Sequence, residues 1–323
     1  MKIFKVIAWI VGGIIIIFVG IIAYVKFFLP NIPVKELSVE VTPQRVERGA
    51  YLANHVMVCM DCHSTRDWSK YSGPLEPGTL GKGGETFDQK MGLPGKFISP
   101  NITPYKLKNW TDGEIYRAIT SGVNKGGDPL FPLMPYHAYG KADDEDIYSV
   151  IAYLRQLEPV VNDVPRSQPD FPMGIIMNLM PAENAPSPIP SKDDRLAYGK
   201  YLTTVAACAD CHTPLEKGKP VTALTFAGGR EFEMPFGTLR TPNITPDKAT
   251  GIGTWTGEVF VNRFKSYESY EKLDSISGPD QFNTIMPWNM YAGMSNDDLQ
   301  AIYDYLKSLQ PISHEVEKVS YRK

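Results

Sequence analysis

Cys59-Met60-Asp61-Cys62-His63 returns further along the chain as Cys208-Ala209-Asp210-Cys211-His212. On a helical turn, cysteines at i and i+3 share one face. Their two thiols can then form thioethers with the vinyl groups of a single porphyrin. The histidine that follows can present its imidazole to the iron, which is the attachment pattern of a c-type haem. All four cysteines of the chain stand in these two motifs, so none is left for a disulfide. The same residue types also suit a redox-active dithiol or half of a zinc site, and four thiolates could share one zinc ion. The surroundings decide between these readings, because each motif heads its own copy of a longer repeated unit.

Upstream of the motifs, Arg48-Gly49-Ala50-Tyr51-Leu52 matches Tyr198-Gly199-Lys200-Tyr201-Leu202 in a shared Gly-x-Tyr-Leu. The first lies in a helix expected over Arg45 to His55. A glycine inside a helix is costly, which points to close packing against another helix. Downstream, Gly83-Gly84-Glu85-Thr86-Phe87 matches Gly228-Gly229-Arg230-Glu231-Phe232. Ser99-Pro100-Asn101-Ile102-Thr103-Pro104 matches Thr241-Pro242-Asn243-Ile244-Thr245-Pro246. The paired prolines exclude a helix there and make the segment a rigid turn or a wall of the haem crevice. A helix then starts at Trp110-Thr111 and at Trp255-Thr256, the first with a capping box from Thr111 to Glu114. Each half closes with an amphipathic helix, opened by Asp143-Asp144-Glu145-Asp146 or Ser295-Asn296-Asp297-Asp298 and stopped before Pro159 or Pro311.

Met134 in Leu133-Met134-Pro135-Tyr136 and Met286 in Ile285-Met286-Pro287-Trp288 recur at nearly the same offset from their motifs. A soft thioether suits the sixth position of haem iron, and a His/Met pair raises the reduction potential. Proline after the methionine presets a loop. His137, Met290 and Met294 compete as ligands, but Asn289 stands where the second half would need a counterpart of His137. Met134 and Met286 therefore rank first, and His55 reads as a helix-face histidine.

Val6 to Val25 carries no charge between Lys5 and Lys26. At about 1.5 Å per residue such a helix spans roughly 30 Å, the thickness of a bilayer core. Trp9, Tyr24, Phe27 and Phe28 sit near its ends, as aromatic side chains do at membrane interfaces. Lys2 and Lys5 hold the short side in the cytoplasm, so the remainder is expected outside a bacterial inner membrane, in the periplasm. The apolar run is longer than a signal-peptide core and lacks a small-x-small cleavage site, which favours an uncleaved single-pass anchor. The bacterial machinery that forms haem thioethers also acts outside that membrane.

The chain thus reads as a transmembrane anchor over 1–29, a tether over 30–44, one haem domain over 45–160, a linker over 161–191 and a second haem domain over 192–323. Val161 to Pro190 holds seven prolines and is expected to be extended. Its stretch Phe171 to Met180 is too apolar for a free tether, so it covers a domain surface or meets the membrane or a partner. The net charge of −3 gives no reason to bind nucleic acid.

Together the Cys-x-x-Cys-His motifs, Pro-Asn-Ile-Thr-Pro, the Trp-Thr helix start, Met-Pro-Tyr and a closing Tyr-Leu-x-x-Leu-x-Pro helix resemble the dihaem class I cytochromes c. The nearest type is the cytochrome c subunits of membrane-associated alcohol and sugar dehydrogenases, and the resemblance covers about residues 45 to 315. It implies an all-α fold with tandem cytochrome c domains and two covalently attached haem c groups. Cys59, Cys62, His63 and Met134 would hold the first haem, and Cys208, Cys211, His212 and Met286 the second. The implied role is electron transfer from a periplasmic or membrane donor dehydrogenase to a respiratory-chain acceptor. Those subunits usually carry a third haem domain and no such N-terminal anchor, and this chain departs from them on both points.

Two saturated irons leave no open site, which favours an electron carrier without catalysis of its own, or a haem subunit of a larger complex. The competing class is a haem enzyme, such as a dihaem peroxidase or a sulfur-compound dehydrogenase. It would need an iron that can open or an unusual ligand such as a spare cysteine.

Overall fold

A computed structural model describes residues 2–269 and 273–322. Helix α1 (Lys2–Phe28) is long and apolar enough to cross a membrane, and its side chains stand almost wholly clear of the rest of the protein. The segment that follows has no regular structure, yet it is docked rather than free. The Ile32 carbonyl accepts from Arg117 at 3.0 Å, Lys35 pairs with Asp144 at 3.0 Å, and the Val39 amide donates to Asp112 at 2.8 Å.

The first half is built from α2 (Pro43–Tyr51), a π-helical turn over Leu52–Val56, α3 (Cys59–His63), α4 (Pro104–Leu107), α5 (Asp112–Ser121), α6 (Tyr136–Tyr139) and α7 (Asp144–Gln156). Helix α8 (Met173–Ile176) and a 3-10 turn over Met177–Leu179 lie in the connecting stretch. The second half follows with α9 (Arg195–Val205), α10 (Cys208–His212), α11 (Gly257–Lys265), α12 (Trp288–Tyr291) and α13 (Asn296–Ser308). The caps fall where the sequence places them. Thr111 and Glu114 form the capping box of α5, Asp143 caps α7, and Ser295 caps α13.

The expected all-α class is corrected to a mostly helical one. Strands β1 (Thr86–Phe87), β2 (Gly95–Ile98) and β3 (Gln168–Pro169) form one antiparallel sheet, and β4 (Leu215–Glu216) pairs with β5 (Lys219–Pro220). Strands β6 (Glu231–Met234), β7 (Gly237–Arg240) and β8 (Val319–Tyr321) form another. Apart from β3 and the C-terminal β8, they arise where the loops after each motif double back, and at two to four residues all are too short to show an alternating pattern. β3 belongs to the proline-rich connection, which is therefore pinned to the first half instead of running free.

Within each half the opening helix packs on the closing helix, α2 on α7 and α9 on α13. The glycine of Gly-x-Tyr-Leu makes this possible. A β-carbon on Gly49 would overlap the Ser149 carbonyl, and one on Gly199 would overlap the Ala301 carbonyl. The two halves share a single apolar core, in which Leu52, Met57, Met60 and Tyr139 meet Tyr198, Leu202, Tyr291 and Met294. Tyrosines of the same motif cross between the halves. Tyr51 donates to Asp298 at 2.6 Å, and Tyr201 donates to Asp146 at 2.6 Å.

Candidate functional site

Helices α3 and α10 place the paired motifs at matching positions. Each is entered through a residue in the left-handed region, Val58 at φ 47° and Ala207 at φ 53°. Left-handed backbone is strained for a side chain with a β-carbon, most of all a branched one. Here it lets the chain turn sharply from the preceding helix into the Cys-x-x-Cys turn. Tyr139 donates to the Met57 carbonyl at 2.6 Å and Tyr291 to the Ala206 carbonyl at 3.0 Å, fixing the residues just before those turns. Burial raises both tyrosine hydroxyls well above their ordinary values, with groups of both motifs adding to the effect.

The histidines are held in the same way. His63 Nδ1 lies 2.7 Å from the Pro100 carbonyl, and His212 Nδ1 lies 2.9 Å from the Pro242 carbonyl. A carbonyl only accepts, so Nδ1 carries the proton and the Nε2 lone pair is left for a metal. Burial lowers both imidazole pKa values, which keeps the rings neutral. The Pro-Asn-Ile-Thr-Pro segments supply those carbonyls, so rigid turn and site wall are one feature. Asn101 accepts from the Thr103 amide and hydroxyl and donates to the Val160 carbonyl at 2.8 Å. Asn243 does the same with Thr245 and Ile312. Gly83 and Gly228 thread between turn and motif. Each donates its amide to the carbonyl of the motif histidine at 2.8 Å, and a β-carbon on either would strike the neighbouring proline backbone.

Burial pushes the Cys59 and Cys208 thiols up to about 12. Such thiols stay protonated at neutral pH, unlike the acidic thiolates of redox dithiols. Among the described residues no group of three or more His, Cys, Asp or Glu side chains gathers as a metal cage.

Met134 and Met286 occupy matching loops. The Tyr136 amide donates to the Met134 carbonyl at 2.7 Å, and the Trp288 amide to the Met286 carbonyl at 2.8 Å. The prolines between sit at φ −78°, ψ 57° and φ −81°, ψ 66°, so each loop is an inverse γ-turn. Both methionines pack at the core margin, whereas Met290 and Met294 are buried in the core. His137 lies in α6 against the Tyr136 ring, and His55 bonds the Met290 carbonyl of the other half at 2.9 Å.

The Met286 loop is pinned from the other half. Ser72, from the first half, accepts from the Trp288 amide at 3.0 Å and donates to the Met286 carbonyl at 2.6 Å. Its own amide donates to Asn283 at 2.8 Å. A second contact that periodicity cannot show is the buried pair Arg66–Asp61 at 3.1 Å, with the Trp68 ring against the guanidinium. An arginine five residues past an aspartate has no spacing signature outside a helix.

Residues 196–310, which take in the second motif and Met286, match the family described as Cytochrome c. This stretch is a cytochrome c domain. The wider chain is homologous to the cytochrome c subunit of a quinone alcohol dehydrogenase from Gluconacetobacter polyoxogenes. The two are 30% identical over 284 residues, 83% of this chain and 56% of that protein. The gluconate 2-dehydrogenase cytochrome c subunit of Pantoea cypripedii is 29% identical over 281 residues, 82% of this chain and 59% of its own. The chain therefore spans little more than half the length of these relatives. A diheme cytochrome c-type protein of Cereibacter sphaeroides is 28% identical over 268 residues, 79% of this chain and 82% of its own.

A cytochrome c domain holds haem c covalently, and the residues present fit that group. Cys208 and Cys211 stand on one short helix, and the neutral His212 keeps its Nε2 free. When bound, haem supplies an iron that takes up and releases one electron. The residues that would hold it are the fixed His212 ring and the preset Met286 loop, within an apolar surround.

Proposed function

We propose that this chain is a membrane-anchored dihaem cytochrome c that passes electrons from a dehydrogenase to a respiratory-chain acceptor. The reading has two tandem cytochrome c domains, 45–160 and 192–323, joined by a linker over 161–191. Cys59, Cys62, His63 and Met134 hold the first haem c, and Cys208, Cys211, His212 and Met286 the second. Residues 1–29 anchor the chain in the inner membrane, residues 30–44 connect anchor to domains, and the domains face the periplasm. What carries the proposal is the doubled geometry: two histidines with Nδ1 on a proline carbonyl, each with a γ-turn methionine loop at a matching position. The relatives support a donor dehydrogenase, since they are named as cytochrome subunits of such enzymes.

The mass and visible spectrum of the purified protein test this. The expected result is two covalent haems, both low-spin, and fewer than two would sink the reading. Met134→Ala and Met286→Ala are each expected to lower the reduction potential of one haem by a sizeable part of the roughly 0.8 V range that axial ligands command. Titrations in which neither substitution moves a potential would remove both ligands from the proposal.

Ser72 offers a selective check. Ser72→Ala strips two hydrogen bonds from the Met286 loop and none from the Met134 loop. It is expected to cost about 1–3 kcal/mol of stability and to leave the absorption of the first haem unchanged on partial denaturation.

A further inference from the structure

Phe171 to Ala182 carries no charge, and its placement explains why. The stretch is an excursion fastened at both ends. Before it, β3 pairs with β2, and the Asp170 amide donates to the Pro94 carbonyl at 2.9 Å. After it, the Ala185 amide donates to the Gly140 carbonyl at 2.9 Å. Between these points α8 and the turn at Met177–Leu179 both rest against α1. Val25 is the buried residue of α1, near the end from which the rest of the chain departs, and Met177 is the buried one of the excursion. Other apolar side chains of the excursion stay open: Phe171 is 89% exposed and Leu179 61%. Phe27 and Phe28, in the last turn of α1, are also exposed.

An exposed apolar patch that continues an apolar membrane helix has one solvent suited to it. We propose that residues 171–179 lie in the lipid interface of the outer leaflet, as a second membrane contact beside α1. The inference rests on α1 spanning the bilayer. The occupant of the patch is lipid at the boundary between headgroup and acyl chain, where uncharged, aromatic and aliphatic side chains partition. Because the excursion is fastened to the first half, this contact fixes the height and tilt of that half over the membrane.

The test uses nitroxide labels on the full-length, haem-loaded protein in phosphatidylcholine–phosphatidylglycerol vesicles. Single cysteines are introduced as Phe171→Cys, Leu179→Cys, Ile16→Cys and Glu258→Cys. Power saturation with oxygen and with a water-soluble nickel chelate then reads the depth of each label. Labels at 171 and 179 are expected about 5–10 Å below the headgroup boundary, with 16 near the bilayer centre and 258 in water. If 171 and 179 read as aqueous while 16 reads deep, the interface contact is wrong and the anchor stands. If 16 is aqueous too, the anchor reading falls and takes this proposal with it. Labels at 171 and 179 shielded from both reagents would mean that protein covers the patch, which also overturns the proposal.

Discussion

Replacing Arg48 with methionine is expected to cost the folded protein about 3–5 kcal/mol. Asp146 stands in the first turn of α7, and its side chain is 3% exposed. Its charge is met by a two-pronged contact from Arg48, at 2.8 and 2.9 Å, and by the Tyr201 hydroxyl. Removing the guanidinium strands a buried carboxylate that keeps only one hydrogen bond and the field of a helix N-terminus. The loss should sit near the lower end of that range. Denaturant titration followed at the haem absorption measures it. Arg48→Met with Asp146→Leu should recover most of the loss, since no charge is then left without a partner. A single-variant loss under about 1 kcal/mol would show that Asp146 is solvated by other means. Tyr201→Phe acts on the same carboxylate from the opposite half and is expected to cost about 1.5–3 kcal/mol. It should also pull apart the unfolding transitions of the two halves.

Gly199→Ala is expected to destabilise the second half by at least about 3 kcal/mol, at or beyond the upper end of ordinary overpacking. The added methyl would meet the Ala301 carbonyl oxygen and carbon, and Tyr305 Cβ would lie 3.0 Å away. Two of these three atoms belong to helical backbone, so no rotamer change relieves the clash. Helices α9 and α13 must move apart, which opens the core around Leu202 and Leu299. Lys200→Ala, one residue on at an exposed position, should stay within about 0.5 kcal/mol. Thermal unfolding of both variants makes the comparison. Equal stability would mean that the two helices have room for a β-carbon.

Much of this was readable from residue patterns because the patterns are local. Gly49 and Gly199 signal close helix packing by being expensive where they stand, and the helices they touch are the ones whose acidic starts mark them. Pro100 and Pro242 announce rigid turns, and the structure adds that their carbonyls hold His63 and His212. What stayed illegible is long-range. The tyrosines of Gly-x-Tyr-Leu reach acids in the other half, at Asp298 and Asp146, across more chain than any periodicity spans. Ser72 carries no sign of the loop it pins at Met286. The strands escaped because segments of two to four residues between glycines and prolines show no alternation.

The stretch between α1 and α2 bears on how electrons would arrive. A free linker of about a dozen residues would let its cargo roam some 20 Å, by the square-root rule for flexible chains. Here Ile32, Lys35 and Val39 are each fastened to the first half, and Gly113 lacks a side chain where the Lys35 backbone lies against it. If α1 is the anchor and the two halves are the proposed haem domains, they are moored beside it and would have no slack with which to ferry charge from one enzyme to another. On the proposed function, donor and acceptor would both have to come to a stationary relay, and throughput would depend on their lateral diffusion or on a standing complex.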